Sequence, residues 1–202
     1  MYDLILSGIR SSYAENHLGD FFYSTALAHK PKLTVELGSF MGYSSLHIAA
    51  ALRDNKDTES EFHLIDLWDK YPYRHCSMET IVQNFKKNEL LSLPHCKCSF
   101  INEDVFEADS NYLSSTIDLL HIDISNDGQS LQHCLNRWHE KLNTGGILLF
   151  EGGSEERDRI DWMIEYEKKS IRSFAESAWF RDHYEAVTIQ PFPSLTFARK
   201  IK

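Results

Sequence analysis

The chain has no apolar run approaching the ~20 residues that cross a bilayer as a helix, which predicts no membrane span. Residues Met1 to Ser12 lack the basic start and long apolar core of a secretory leader. Its four cysteines follow no regular spacing, so a disulfide scaffold is not expected and a reducing compartment is. Basic residues are also short: 21 Lys and Arg stand against 30 Asp and Glu, a formal net charge of -9. That balance disfavours loose attachment to nucleic acid or to an anionic lipid surface. Together these absences predict a cytoplasmic protein with neither membrane nor nucleic-acid partner. Neither a Gly-x-Ser-x-Gly elbow nor a Walker loop occurs, which removes two common hydrolase signatures. No Cys-x-x-Cys pair supports a zinc site at His95, Cys96 and Cys98 or at His75 and Cys76, so packed cysteines are expected there.

What is present is a 202-residue chain with 42% hydrophobic residues, long enough for one domain that buries roughly 70% of its unfolded surface. Ser12 and Glu15 have capping-box spacing and are expected to open a helix through Leu27 that Pro31 ends. Strands are predicted at about 33–37, 62–68, 98–102, 117–123 and 147–150, with helices between them. Arg53 to Glu61 reads as a loop, and Asn143 to Gly146 as the turn that closes a helix. A charged stretch from Glu155 to about Phe180 predicts one long helix, with Glu155 to Asp161 on its solvated face. Tyr184–Gln190 and Leu195–Ile201, joined across two prolines, predict an antiparallel hairpin. Alternating strands and helices imply an α/β doubly wound fold of seven strands. The expected domain covers residues 1–202, with an N-terminal helical segment 1–31 and a helical insertion 154–182 before the hairpin.

The most informative stretch runs from Thr34 to Leu46, a buried strand, a glycine turn and the start of a helix. Its order is Glu36-x-Gly38-x-x-x-Gly42-x-Ser44, not the Gly-x-Gly-x-x-Gly of dinucleotide sites. Backbone N–H groups at such a helix start suit the polar parts of a nucleotide-like ligand. The acids Asp66, Asp104, Asp123 and Glu151 all fall at or just beyond predicted strand ends, where ligands cross a sheet of this kind.

This pattern resembles the class I S-adenosylmethionine-dependent methyltransferases, over nearly the whole chain. Asp66-Leu67-Trp68 and His121-Ile122-Asp123 further resemble the small group that includes macrocin O-methyltransferase. The resemblance implies that Glu36, Gly38, Ser39, Gly42 and Ser44 line the methionine end of S-adenosylmethionine. By the same resemblance Asp66 with Leu67 meets the ribose, Asp104 with Val105 meets the adenine, and Asp123 also borders the cofactor. The implied reaction is methyl transfer to a small-molecule acceptor, with oxygen the expected target. Asp123, Glu151 and His75 are the candidate catalytic groups. Asp123 and Glu151 end neighbouring strands, so they either share a proton or hold a hard cation such as Mg2+. The chain departs from that group at Asn126, Gly128, Cys134 and Glu151, where relatives carry histidine, tyrosine and two aspartates. A non-catalytic cofactor-binding module, a nicotinamide-dependent oxidoreductase and a homodimer all stay open at this point.

Overall fold

The computed structural model describes residues 3–72, 76–124 and 126–202. The chain divides into two compact units, Met1–Ala108 and Asp109–Lys202. Its seven strands make a mixed sheet whose last members run antiparallel, the α/β architecture expected.

The first unit opens with a 3-10 turn at Ser12–Ala14 and helix α1 (Leu18–His29). The expected capping box does not form: Ser11 caps the short turn, and His17, in the left-handed region, separates it from α1. β1 (Leu33–Leu37) leads through the glycine turn to α2 (Tyr43–Asp54), which is buried from Tyr43 through Leu52. Three consecutive alanines let α2 bury every face, which requires small side chains where neighbours come close. Gly19 of α1 shows how close: a Cβ there would lie 2.3 Å from the His47 ring. Because α2 extends to Asp54, the following loop begins two residues later than the sequence suggests.

β2 (Ser60–Asp66) ends before Trp68, which instead starts a 3-10 turn through Lys70. α3 (Met78–Lys87) is amphipathic, capped by Ser77, whose Oγ accepts the Thr80 N–H at 3.2 Å. Phe85 of α3 meets Phe100 of β3 (Cys96–Asn102) edge to face, with centroids 5.0 Å apart. Within this unit the strands lie in the order β3, β2, β1, all parallel, so their carboxyl ends share one edge.

In the second unit β4 (Ile117–Ile122) is parallel to its neighbour β5 (Leu142–Glu151), and α4 (Gly128–Trp138) lies between them in sequence. Asn143 to Gly146 belong to β5 and do not close a helix. The β4–β5 register shifts between Ile117 and Leu119, absorbing the extra residues. The long charged helix also fails to form. In its place stand four short helices, α5 (Glu155–Asp158), α6 (Asp161–Glu165), α7 (Ile171–Ala175) and α8 (Ala178–His183). Ser154 caps the first of them, and Ser170 and Ser177 cap α7 and α8, each Oγ accepting a backbone N–H in the next turn. β6 (Tyr184–Ile189) and β7 (Leu195–Lys200) form the expected hairpin, and β7 also runs antiparallel to β5. Among the described residues no helix is long and apolar enough to cross a membrane.

Candidate functional site

The glycine turn of the first unit is built on a buried acid. Glu36 is fully buried in β1, and its carboxylate accepts the Ser44 hydroxyl at 2.6 Å and the Ser45 hydroxyl by a shorter bond. A buried carboxylate needs such donors, since desolvating one without partners is strongly unfavourable. The two serines occupy the first turn of α2, so Glu36 ties that turn to the strand. Ser44 thus stands as a support for Glu36.

Between them the chain turns through Gly38 (φ 87°), Phe40 (φ 46°) and Gly42 (φ 87°). Glycine tolerates this region freely, and at Gly42 space demands it as well. A Cβ there would sit 2.9 Å from Ile81 Cγ1. The Gly38 N–H donates to the Ile65 carbonyl at 2.8 Å, extending the β1–β2 ladder one residue into the turn.

Asp66 holds the other side. Its Oδ2 accepts the Phe40 N–H at 2.8 Å and its Oδ1 accepts the Trp68 N–H at 3.0 Å. The Trp68 indole N–H donates back to the Phe40 carbonyl at 3.1 Å, and Cys76 Sγ reaches the same oxygen at 3.3 Å. Burial, and then the charge of Asp66, push the Cys76 thiol up, so it stays a neutral donor. Arg10 lies over the Phe40 ring, 5.6 Å from its centroid. This clasp of Asp66, Phe40 and Trp68 was not foreseen. The Asp-x-Trp spacing is visible in the sequence, but its partner is 26 residues away.

Each carboxylate oxygen of Asp66 has room for a second donor, and the residue is half-buried at the end of β2. Beside it in register, Asn102 ends β3 with a buried Oδ1 that has no hydrogen-bond partner. Ser39 Oγ, in the turn, is likewise buried and unpartnered. Such atoms are rare in folded proteins; Thr34 Oγ1 is another, near the start of β1, whereas Ser39 and Asn102 lie toward the carboxyl ends of their strands. They suit a polar ligand with hydroxyl and amine groups. Leu67 is half-buried after Asp66, and Val105 is buried after Asp104. Asp104 itself accepts the Phe106 N–H at 2.9 Å, a local turn that fixes the backbone around Val105.

The second unit has its own polar cluster at the ends of β4 and β5. Asp123 follows β4 by one residue and is half-buried; Glu151 closes β5 and is buried. Both Glu151 oxygens are engaged by Arg157, through Nε to one and through Nη2 at 2.8 Å to the other. Gly152 (φ 103°) and Gly153 (φ 106°) reverse the chain after β5, and the Ser154 cap starts α5, which returns Arg157 to the acid. Arg157 is 4% exposed, donates to the Asn126 carbonyl at 3.0 Å and packs over the Trp162 ring. Asn126 is fully buried, and its amide N–H groups donate to the Ile122 and Glu151 carbonyls, both at 3.2 Å. Asp127 caps α4 by accepting the Gln129 and Ser130 N–H groups.

Asn126 is therefore a strut between the two strand ends, and Asp127 is spent on the helix. Among the described residues no group of three or more His, Cys, Asp or Glu is placed to hold a metal ion. Arg157 is the residue that sequence reasoning missed outright, having been read as part of a solvated charge run. His75 lies outside the described residues.

A family model described as a methyltransferase domain matches residues 35–151, more than half of the chain. The matched span opens just before Glu36 and ends on Glu151. No curated protein matches. Among solved structures, the fold is similar to the Podospora anserina methyltransferase PaMTH1 bound to S-adenosylhomocysteine, at TM-score 0.66 and 16% identity, covering 96% of this chain and 80% of that one. The O-methyltransferase TomG from Streptomyces achromogenes, involved in tomaymycin synthesis and solved with S-adenosylmethionine, aligns at TM-score 0.66 and 14% identity over 97% and 83%. An O-methyltransferase from Bacillus cereus with S-adenosylhomocysteine aligns at 0.65 and 14% over 96% and 84%. At such identities these likenesses speak to the fold, while the family match sets the oxidoreductase alternative aside. The chain belongs to the methyltransferase-domain family.

Proposed function

We propose that this chain transfers a methyl group from S-adenosylmethionine to an oxygen of a small-molecule acceptor. The observation that carries the proposal is the strand-end edge of the first unit, where Asp66, Ser39 and Asn102 offer oxygen atoms with capacity to spare. The family match and the cofactors named for the structural neighbours support it. Asp66 takes the ribose hydroxyls, since an ionised carboxylate only accepts. Glu36, Gly38, Ser39 and Gly42 shape the methionine end, and Asp104 with Val105 takes the adenine.

When bound, the cofactor supplies an electrophilic methyl on a sulfonium. The protein's task is then alignment and exclusion of water. An acceptor hydroxyl would have to give up its proton on methylation, and Asp123 would be the group to receive it. Glu151, held by Arg157, supports that strand end without taking part in proton transfer. The Asp66-Leu67-Trp68 segment supports a place near the macrocin O-methyltransferase group, and the net charge of -9 supports a small-molecule acceptor over a nucleic acid.

Asp66→Ala is expected to weaken S-adenosylhomocysteine binding by roughly 1.5–3 kcal/mol, the range for hydrogen bonds to a charged group. Titration calorimetry on a variant whose fold is confirmed by circular dichroism measures this. Unchanged affinity would remove Asp66 from the site. Turnover of labelled S-adenosylmethionine over a panel of hydroxylated acceptors then separates an enzyme from a cofactor-binding module.

A further inference from the structure

Two acids at neighbouring strand ends invite a divalent cation, and the donor set decides whether one fits. Magnesium takes hard oxygen ligands in near-octahedral geometry and needs carboxylate oxygens free to face it. Glu151 has none to give. Arg157 covers one oxygen through Nε and the other through Nη2, and both side chains are buried. The guanidinium is itself anchored on two further sides. Nη2 also holds the Asn126 carbonyl, and the Trp162 ring lies 5.2 Å from the guanidinium carbon. Nη1 remains buried without a partner, so donor hydrogens point from this group where a metal would need acceptors. Asn126 offers one unpartnered amide oxygen, Oδ1, while its nitrogen is fixed to two carbonyls. Asp127 is committed to capping α4.

We infer that Arg157 is the resident cation of this strand end, closing Glu151 to divalent metals and making the second unit's polar cluster a metal-free site. A buried guanidinium supplies a positive charge that neither depends on metal supply nor leaves under chelation, since arginine stays protonated at any physiological pH. It also explains why the chain tolerates glutamate at the end of β5. The longer side chain, with the Gly152–Gly153 reversal, lets both oxygens meet a planar fork. The inference concerns the acceptor end proposed above, but its readout is metal binding and does not require turnover.

The test is a manganese titration followed by electron paramagnetic resonance, with Mn2+ as the probe, on the full chain. Wild type is expected to take up no Mn2+ up to millimolar concentration. Arg157→Met, measured cold and checked for folding by circular dichroism, is expected to bind it at least about tenfold more tightly, because the uncovered acids now attract the cation. Stoichiometric uptake by wild type that Glu151→Gln abolishes would overturn the inference. So would a folded Arg157→Met that takes up no more Mn2+ than wild type. Should that variant not fold, the wild-type titration and its Glu151→Gln control decide alone. S-adenosylhomocysteine binding measured on the same wild-type sample keeps the two readings apart. Its failure counts against the methyltransferase proposal and leaves the metal result standing.

Discussion

Arg157→Ala is expected to lose about 3–5 kcal/mol of folding stability, the usual result of stripping the partner from a buried charge. Glu151 is 8% exposed and has both oxygens on Arg157, so the truncation strands a largely buried carboxylate without its partner. The Asn126 carbonyl loses a donor at the same time. Urea unfolding at pH 7 measures the loss. Replacing both partners, Glu151→Met with Arg157→Met, should restore much of it, since a buried ion pair exchanged for apolar groups of similar volume is often close to neutral. A single variant within about 1 kcal/mol of wild type would mean that the pair is no better than a surface bridge.

Acid should destabilise the chain through His47. Burial pushes this imidazole down to about 4 from its usual 6.5, with the charge of Asp20 pulling weakly the other way. The ring is packed against Gly19 and against Tyr43, whose centroid is 4.8 Å away. The folded state keeps His47 neutral, whereas the unfolded chain protonates it near 6.5. The unfolded state therefore binds more protons between those values, and stability falls as pH drops through that window. Above about pH 6.5 the penalty is absent. Near pH 4 it reaches on the order of 3 kcal/mol. His47→Gln should flatten the dependence, so denaturation of both proteins at pH 7 and pH 4.5 isolates the histidine. Equal losses in the two would assign the acid sensitivity elsewhere. His139 is also pushed down to about 4 by burial and by Lys200, but it is only half-buried and contributes less.

The parts of this molecule that could be read from its sequence are those set by local pattern. Leu33, Val35 and Leu37 alternate around Glu36 as a strand should, and Gly38 and Gly42 mark a turn that other residues enter only with strain. The hairpin of β6 and β7 was legible from two apolar runs split by prolines. What escaped depends on partners distant in the chain. Nothing near Glu155 to Asp161 says that Arg157 is buried while Arg159 is 73% exposed at its side chain. The difference is made by Glu151, six residues back across a glycine reversal that a helical pattern does not anticipate. The same stretch was read as one helix because its charges are helix formers. Ser170 and Ser177 break it by offering caps that compete with helix continuation. At the strand-end edge of the first unit, the place of Asp66 after a strand is legible in the sequence, but its hold on Phe40 and Trp68 requires the fold.

The Glu36 carboxylate joins β1 to the first turn of α2 through two hydroxyls. Strand, turn and helix are consequently one cooperative opening unit. Fraying α2 from its start would leave a buried carboxyl group without its donors, so partial opening there is strongly disfavoured. The amides of β1 and of the early α2 should exchange their hydrogens with a common free energy, as members of a single foldon.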